Sequence, residues 1–220
     1  MSDLDLTSFT LDPPGRIAVI GAGPLGVETA LYGRFLGYDI NVYESRGVAS
    51  SLLSTEDRDL PLLPDRSLSN LAVQALLTQT ETISLTFPVT LHEWANNYLI
   101  QLTQTDLLQG RVHIDCEIRS IETCPVEGDE EIIPPDFQLS FVDSNGNAKK
   151  ETHECVIVAT GSEVRFAMPE PDVTPYLFRV GGTGYETWEE SLQVGFREIV
   201  SIFAGLGERP GLDLYRPRRV

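Results

Sequence analysis

Arg16-Ile17-Ala18-Val19-Ile20-Gly21-Ala22-Gly23-Pro24-Leu25-Gly26 is a short apolar run that ends in three spaced glycines. Its apolar residues do not alternate with polar ones. That is the pattern of a strand covered on both faces, as in a parallel sheet. Behind the glycines, Val27, Ala30, Leu31 and Phe35 recur at helical spacing, and Gly37 stops the pattern. Asp39-Ile40-Asn41-Val42-Tyr43-Glu44 reads as a second strand. Strand, glycine turn, helix and strand within about thirty residues form a β-α-β unit and predict an α/β fold with a parallel sheet.

The glycines carry chemistry as well as shape. Gly21 permits a tight turn out of the strand, Gly23 lets a diphosphate approach the backbone, and Gly26 lets the helix sit close to the sheet. The helix start offers free N–H groups and partial positive charge to phosphates. Ala22, Pro24 and Leu25 complete this loop. Glu44 ends the second strand, about twenty residues on, where an acid accepts hydrogen bonds from an adenosine ribose. A carboxylate there favours an unphosphorylated ribose, hence FAD or NAD over NADP. Ser45 and Arg46 follow it, and Arg46 either reaches an adenine or phosphate or stays in solvent. The spacing therefore predicts dinucleotide binding, or at least binding of an ADP moiety. The alternative is a glycine turn needed for packing alone.

The rest of the chain is less regular. Residues 1–15 read as a polar leader. Residues 45–90 are irregular, with a short helix near 69–78. Residues 91–108 place Leu91, Trp94 or Ala95, Tyr98 and Leu102 on one helical face. Residues 112–118 read as a strand, and 123–136 as an acidic loop. Two strands, 137–142 and 154–160, are expected to join through the turn Asn145-Gly146-Asn147. Tyr176–Val180 is another strand. Thr187 and Glu190 mark the start of a last helix by a capping-box pattern, and Gly207 and Pro210 its end.

The chain has 220 residues with 16 Lys+Arg against 33 Asp+Glu, a formal net charge of −17. That field repels nucleic-acid backbones and anionic lipid, so neither partner is expected. No apolar run approaches the ~20 residues of a membrane-spanning helix, and no signal peptide is recognisable. Three cysteines without a CxxC pair, Cys116, Cys124 and Cys155, predict no disulfide framework and a cytoplasmic location. Cys116 and Cys155 read as small core residues. His92-Glu93-Trp94-Ala95-Asn96 begins like a zinc-binding helix but has Asn96 where a second His is needed, so no metal is expected.

Val156-Ile157-Val158-Ala159-Thr160-Gly161 is a further apolar strand running into a glycine turn. Together with the GAGPxG loop it resembles the ATG motif of FAD-dependent oxidoreductases with two dinucleotide-binding domains, the flavin monooxygenase-like flavoproteins. The resemblance implies a Rossmann-like FAD/NAD(P)-binding fold with a small antiparallel β-meander. It implies cofactor contacts at Ala159, Thr160 and Gly161. By the same resemblance the backbone of Ile118 would touch the adenine, and Gly181 and Gly182 would sit near the diphosphate and flavin. In that family a whole NAD(P)H-binding domain usually stands between the ATG motif and the closing strand. Here only the residues between Ser162 and Tyr176 do. The family's Gly-Asp at the closing strand is replaced by Gly181-Gly182, and no redox cysteine pair is present.

The organisation expected is one FAD/NAD(P)-binding domain over 16–220, with segments 16–122, 137–162 and 176–206. The leading function is a FAD-binding oxidoreductase with an unknown substrate and no identifiable acid or base. A non-catalytic ADP-moiety or interaction module and an NAD-binding oxidoreductase are the alternatives. The face left by the missing domain is expected to carry a second copy or a partner protein.

Overall fold

The computed structural model describes residues 10–63, 66–79, 88–125, 134–161, 164–182, 185 and 187–216. Its centre is the strand β1 (Arg16–Ile20). The helix α1 (Pro24–Phe35) carries the chain from β1 to a parallel neighbour, β2 (Asp39–Tyr43). On the other side β1 pairs in parallel with β7 (Cys155–Val158), and β7 with β8 (Leu177–Arg179). A two-residue strand, β3 (Val112–His113), completes the order β3-β2-β1-β7-β8, all parallel. This is a Rossmann-like α/β sheet.

Side-chain alternation divides the sheet into two buried faces. Ile17, Val19, Ile40, Val42, Cys155 and Ile157 enter one core with α1 and the helices α3 (Asn70–Leu77) and α6 (Trp188–Leu206). Ala18, Ile20, Tyr43, Val156 and Val158 enter a second core beneath an antiparallel meander. The meander comprises β4 (Glu117–Cys124), β5 (Asp136–Val142) and β6 (Ala148–His153). It contributes Ile118, Ile121, Phe137, Leu139 and Phe141. Non-alternating apolar strands in the sequence are thus explained: both faces are covered.

The structure corrects several sequence expectations. The Asn145–Asn147 turn joins β5 to β6, not to the strand of the ATG-like motif. Residues 148–153 are mostly exposed and polar, so their strand carries no apolar signal. The run 112–118 is two strands, broken where Asp115 takes φ +53, and its halves lie in different sheets. A short helix, α2 (Ser50–Leu53), lies in the stretch expected to be irregular. The helical stretch from Leu91 is α4 (Leu91–Trp94), a π turn (Ala95–Leu99) and α5 (Ile100–Thr103). It ends short of residue 108. The end of the leader is packed: Leu11 is buried, and its N–H donates to the Leu206 carbonyl at 2.8 Å. The C-terminal stretch is likewise held at Leu214 and Tyr215. Tyr215 lies against Tyr32 and Phe196, and the Leu214 N–H donates to the Tyr32 hydroxyl. The expected cap of α6 is present, with Thr187 Oγ1 accepting from the Glu190 N–H at 3.1 Å.

Two buried ionisable groups tie the layers together. Tyr43 on β2 donates to Glu151 Oε2 at 2.5 Å, which leaves its oxygen to accept from His153 Nε2 at 3.0 Å. The proton of the neutral ring is therefore assigned to Nε2. Burial pushes the His153 pKa down to about 4, against the pull of Glu151. On the other face, Glu28 of α1 is 4% exposed and accepts from Ser69 Oγ at 2.8 Å and the Tyr215 hydroxyl at 3.4 Å. Burial pushes its pKa up to about 7.

The two groups oppose each other in pH dependence. Unfolding lets His153 return toward 6.5, so the stability it contributes is present above that pH and is lost as the pH falls toward 4. Glu28 returns toward 4.5, so its contribution is present below that pH and is lost as the pH rises through 7. Chemical denaturation at pH 5 and pH 8 checks both. Glu28→Gln is expected to gain on the native chain at pH 8 and to lose that gain at pH 5. His153→Gln is expected to remove the acid-side loss, about 2 kcal/mol at pH 5.

Candidate functional site

The sheet order has one switch point. From β1 the chain crosses to β2 on one side, and β7 lies on the other, so a crevice opens above the carboxyl ends of β1 and β7. Ligands of open α/β sheets bind at such a place. The glycine loop sits there. Gly21 has φ +104, and its N–H donates to the Tyr43 carbonyl at 2.8 Å. A Cβ on Gly21 would stand 2.9 Å from the Ala159 carbonyl oxygen. A Cβ on Gly26 would stand 2.0 Å from the Gly21 carbonyl oxygen, a position no side chain can take. These two glycines bring the start of α1 down onto the turns that leave β1 and β7.

Gly23 differs. It is the N-cap of α1, and a Cβ there would meet nothing within 4 Å. No side chain caps this helix, and no acid stands in its first turn. Pro24 at the first helical position has no N–H to satisfy. The first intrahelical bond is from the Val27 N–H to the Gly23 carbonyl, so Leu25 and Gly26 have no acceptor within the helix. The arrangement is an open, uncapped helix start with room in front of it. It fits a diphosphate by both space and partial charge.

Glu44 closes the other side. Its Oε2 accepts from the Ala22 N–H at 2.9 Å, and its Oε1 from Ser45 Oγ at 3.2 Å and the Arg46 N–H at 3.0 Å. The carboxylate thus stands directly against the glycine loop and is oriented by it. Arg46 is exposed, and its backbone joins the neighbouring segment through the Asp115 N–H. The Cys116 N–H donates to the Glu44 carbonyl at 2.9 Å. Ile118 lies two residues further along, with its side chain in the meander core.

Ala159, Thr160 and Gly161 leave β7 beside Gly21. The Ala159 N–H donates to the Ile20 carbonyl, and the Thr160 Oγ1 is buried with no hydrogen-bond partner among the described residues. Gly181, at φ +75, and the exposed Gly182 follow β8. The Leu25 side chain lies 2.7 Å from where a Cβ of Gly181 would stand and 2.5 Å from that of Gly195. The sequence alone suggests a neighbouring strand as the reason for Gly195 inside α6; the structure shows a leucine of the glycine loop. Glu198 and Tyr185, which no motif marks, also lie here. Cys116 and Cys155 are buried core residues, and the described residues contain no cluster suited to a metal. No helix among the described residues is long and apolar enough to cross a membrane.

No protein-family model matches the sequence, and no curated protein matches it. Solved structures do. An S-allyl-L-cysteine S-oxygenase from Allium sativum superposes with a TM-score of 0.50 and 17% identity, over 76% of this chain and 43% of that one. A bacillithiol disulfide reductase from Bacillus cereus gives 0.49 and 14%, over 88% and 56%. OTEMO in complex with FAD and NADP gives 0.47 and 16%, over 69% and 26%. The likeness is one of fold, and the chain spans 43% of the length of the oxygenase that carries it.

The glycines separate packing from binding. Gly26→Ala is expected to lose at least about 3 kcal/mol, because backbone must move. Gly23→Ala is expected to stay within about 1 kcal/mol of the native chain, since its side chain would enter open space at a cap position. Thermal and denaturant unfolding of the two variants checks this.

Proposed function

We propose that the chain binds a dinucleotide through its ADP moiety, that the dinucleotide is FAD, and that the chain is a FAD-binding oxidoreductase. The observation that carries the reading is the open start of α1: an uncapped helix end, empty space before Gly23, and a carboxylate fixed against the same loop. The diphosphate would take the N–H groups at Gly23, Leu25 and Gly26. The adenosine ribose would reach Glu44, with Ser45, Arg46 and the Ile118 backbone nearby. Ala159 to Gly161 and Gly181 to Gly182 would flank the second half. When bound, FAD would supply the redox chemistry of the site.

The chain's own work in this reading is to hold and orient. The net charge of −17 opposes an anionic ligand, so attraction must come from local groups: the N–H groups at the start of α1, with the exposed Arg46 and Arg179 beside them. Their number is small and fixed, and Glu44 discriminates against a phosphorylated ribose by charge.

A second reading is a nucleotide-binding module without turnover. What favours it lies in the sequence: Gly181-Gly182 stands where the resembled family has a Gly-Asp, and only the residues between Ser162 and Tyr176 stand where that family has its NAD(P)H-binding domain.

Titration of the purified chain with FAD, followed by flavin absorbance and fluorescence, separates these readings. Saturable yellow binding is expected, weakened at least tenfold by Gly23→Ala and by Glu44→Ala. A chain that remains colourless after incubation with FAD overturns the flavin assignment. Flavin binding with no reduction by NADH or NADPH supports the module.

A further inference from the structure

Among the described residues the parallel sheet ends at β8, which pairs with β7 on one side and with no strand on the other. Backbone direction fixes which polar groups that edge leaves open. The Val156 N–H donates to the Tyr176 carbonyl and the Val180 N–H to the Val158 carbonyl, both at 2.9 Å. Tyr176, Phe178 and Val180 therefore turn their backbone groups to β7, and Leu177 and Arg179 turn theirs outward. The Leu177 N–H is taken by the Thr174 carbonyl at 3.3 Å. The Leu177 carbonyl and both backbone groups of Arg179 have no backbone partner among the described residues. A groove of about 340 Å³ lies against this edge. It is lined by β8, by Glu198 and Ser201 of α6, and by the exposed Glu170 and Asp172. Its one guanidinium, that of Arg179, is directed to the Gly161 carbonyl.

An open strand edge accepts another strand through main-chain hydrogen bonds, and the charges beside it decide which strand that is. Two copies of this chain joined edge to edge about a two-fold axis would bring Glu170 and Asp172 toward their own counterparts, with a net charge of −17 on each copy. A basic segment meets the opposite sign. The edge strand of the meander, β6, carries the exposed Lys149 and Lys150 and repels the same segment. We propose that the β8 edge is a docking site for an extended, lysine- or arginine-rich segment of a partner protein, which joins the sheet as one further strand. The Arg179 N–H and the Leu177 and Arg179 carbonyls supply the main-chain hydrogen bonds. Side chains alternate along a strand, so every second residue of the segment can offer its charge to Glu170 and Asp172. The proposal is independent of what the glycine loop binds.

Titration of the full chain with a short, end-blocked peptide of alternating lysine and valine tests it, by calorimetry and by amide hydrogen exchange read with NMR. Saturable binding is expected, with exchange at the Arg179 amide slowed at least about tenfold and exchange along β6 unchanged. The variant carrying Glu170→Lys and Asp172→Lys, both at exposed positions, is expected to bind the peptide at least about tenfold more weakly. The same peptide methylated on every backbone nitrogen keeps its charge and loses its main-chain donors, and is expected to bind at least about tenfold more weakly. Absence of saturable binding to the native chain overturns the proposal. Equal affinity for the methylated peptide leaves charge attraction alone and overturns the added strand. Unchanged affinity in the doubly substituted chain overturns the role of the two acids and the basic partner with it. Protection along β6 in place of Arg179 assigns the peptide to the wrong edge and overturns it. A native chain that is dimeric, with the Arg179 amide already protected, assigns the edge to a second copy and also overturns it.

Discussion

Everything in this molecule is arranged around one backbone-on-backbone approach. The Cα of Gly26, in the first turn of α1, lies so close to the Gly21 carbonyl that a side-chain carbon would stand 2.0 Å from the oxygen. Gly21 in turn leaves no room for a Cβ beside Ala159. Because three turns meet there without side chains between them, the uncapped start of α1 lies over the carboxyl ends of β1 and β7. Had either glycine carried a side chain, the helix would stand away from the sheet and the crevice would lose its floor. The open space in front of Gly23 is the consequence, and it is the one feature of the loop that packing does not require.

The sheet must be covered on both faces to hold this geometry, and the chain uses two different materials. Helices α1, α3 and α6 bury Ile17, Val19, Ile40 and Ile157 on one side. The three-stranded meander buries Ala18, Ile20, Val156 and Val158 on the other. Each layer is also tied by a polar group whose neutral form burial favours: Glu28 under the helices, and His153 with Tyr43 under the meander. Such groups cost stability unless they are partnered. Their partners lie far away in the sequence, at Ser69, Tyr215 and Glu151, so they staple remote segments to the sheet.

Electrostatics is distributed unevenly over the site. Two backbone N–H groups at the crevice are taken by the chain's own carboxylates, Ala22 by Glu44 and Gly181 by Glu198. The N–H groups at the start of α1 are not. In a chain with a net charge of −17, the positive groups at the crevice include these N–H dipoles, the exposed Arg46 beside Glu44, and Arg179, whose Nη2 donates to the Gly161 carbonyl at 3.5 Å.

The β-α-β unit was legible from residues alone, because the spacing of Gly21, Gly23 and Gly26 and the unbroken apolar strands are local consequences of a helix packed on a parallel sheet. Glu44 at the end of β2 was legible for the same reason, as was the Thr187 cap of α6. The remainder was decided by contacts between distant segments. The break at Asp115 is a backbone turn that no apolar pattern encodes, and β6 is a strand of exposed residues such as Lys149 and Lys150, whose alternation carries no apolar signal. Leu11 and Tyr215 look like parts of loose termini until Leu206 and Glu28 supply their partners. Glu198 stands in an ordinary helical stretch and acquires its meaning only because Gly195 lets α6 approach Leu25, which brings its carboxylate to the Gly181 N–H. By itself the sequence determined the unit that can hold a diphosphate, since that depends on neighbours in the chain. Only the tertiary structure decided what surrounds that unit, since that depends on how β8 and α6 pack back onto it.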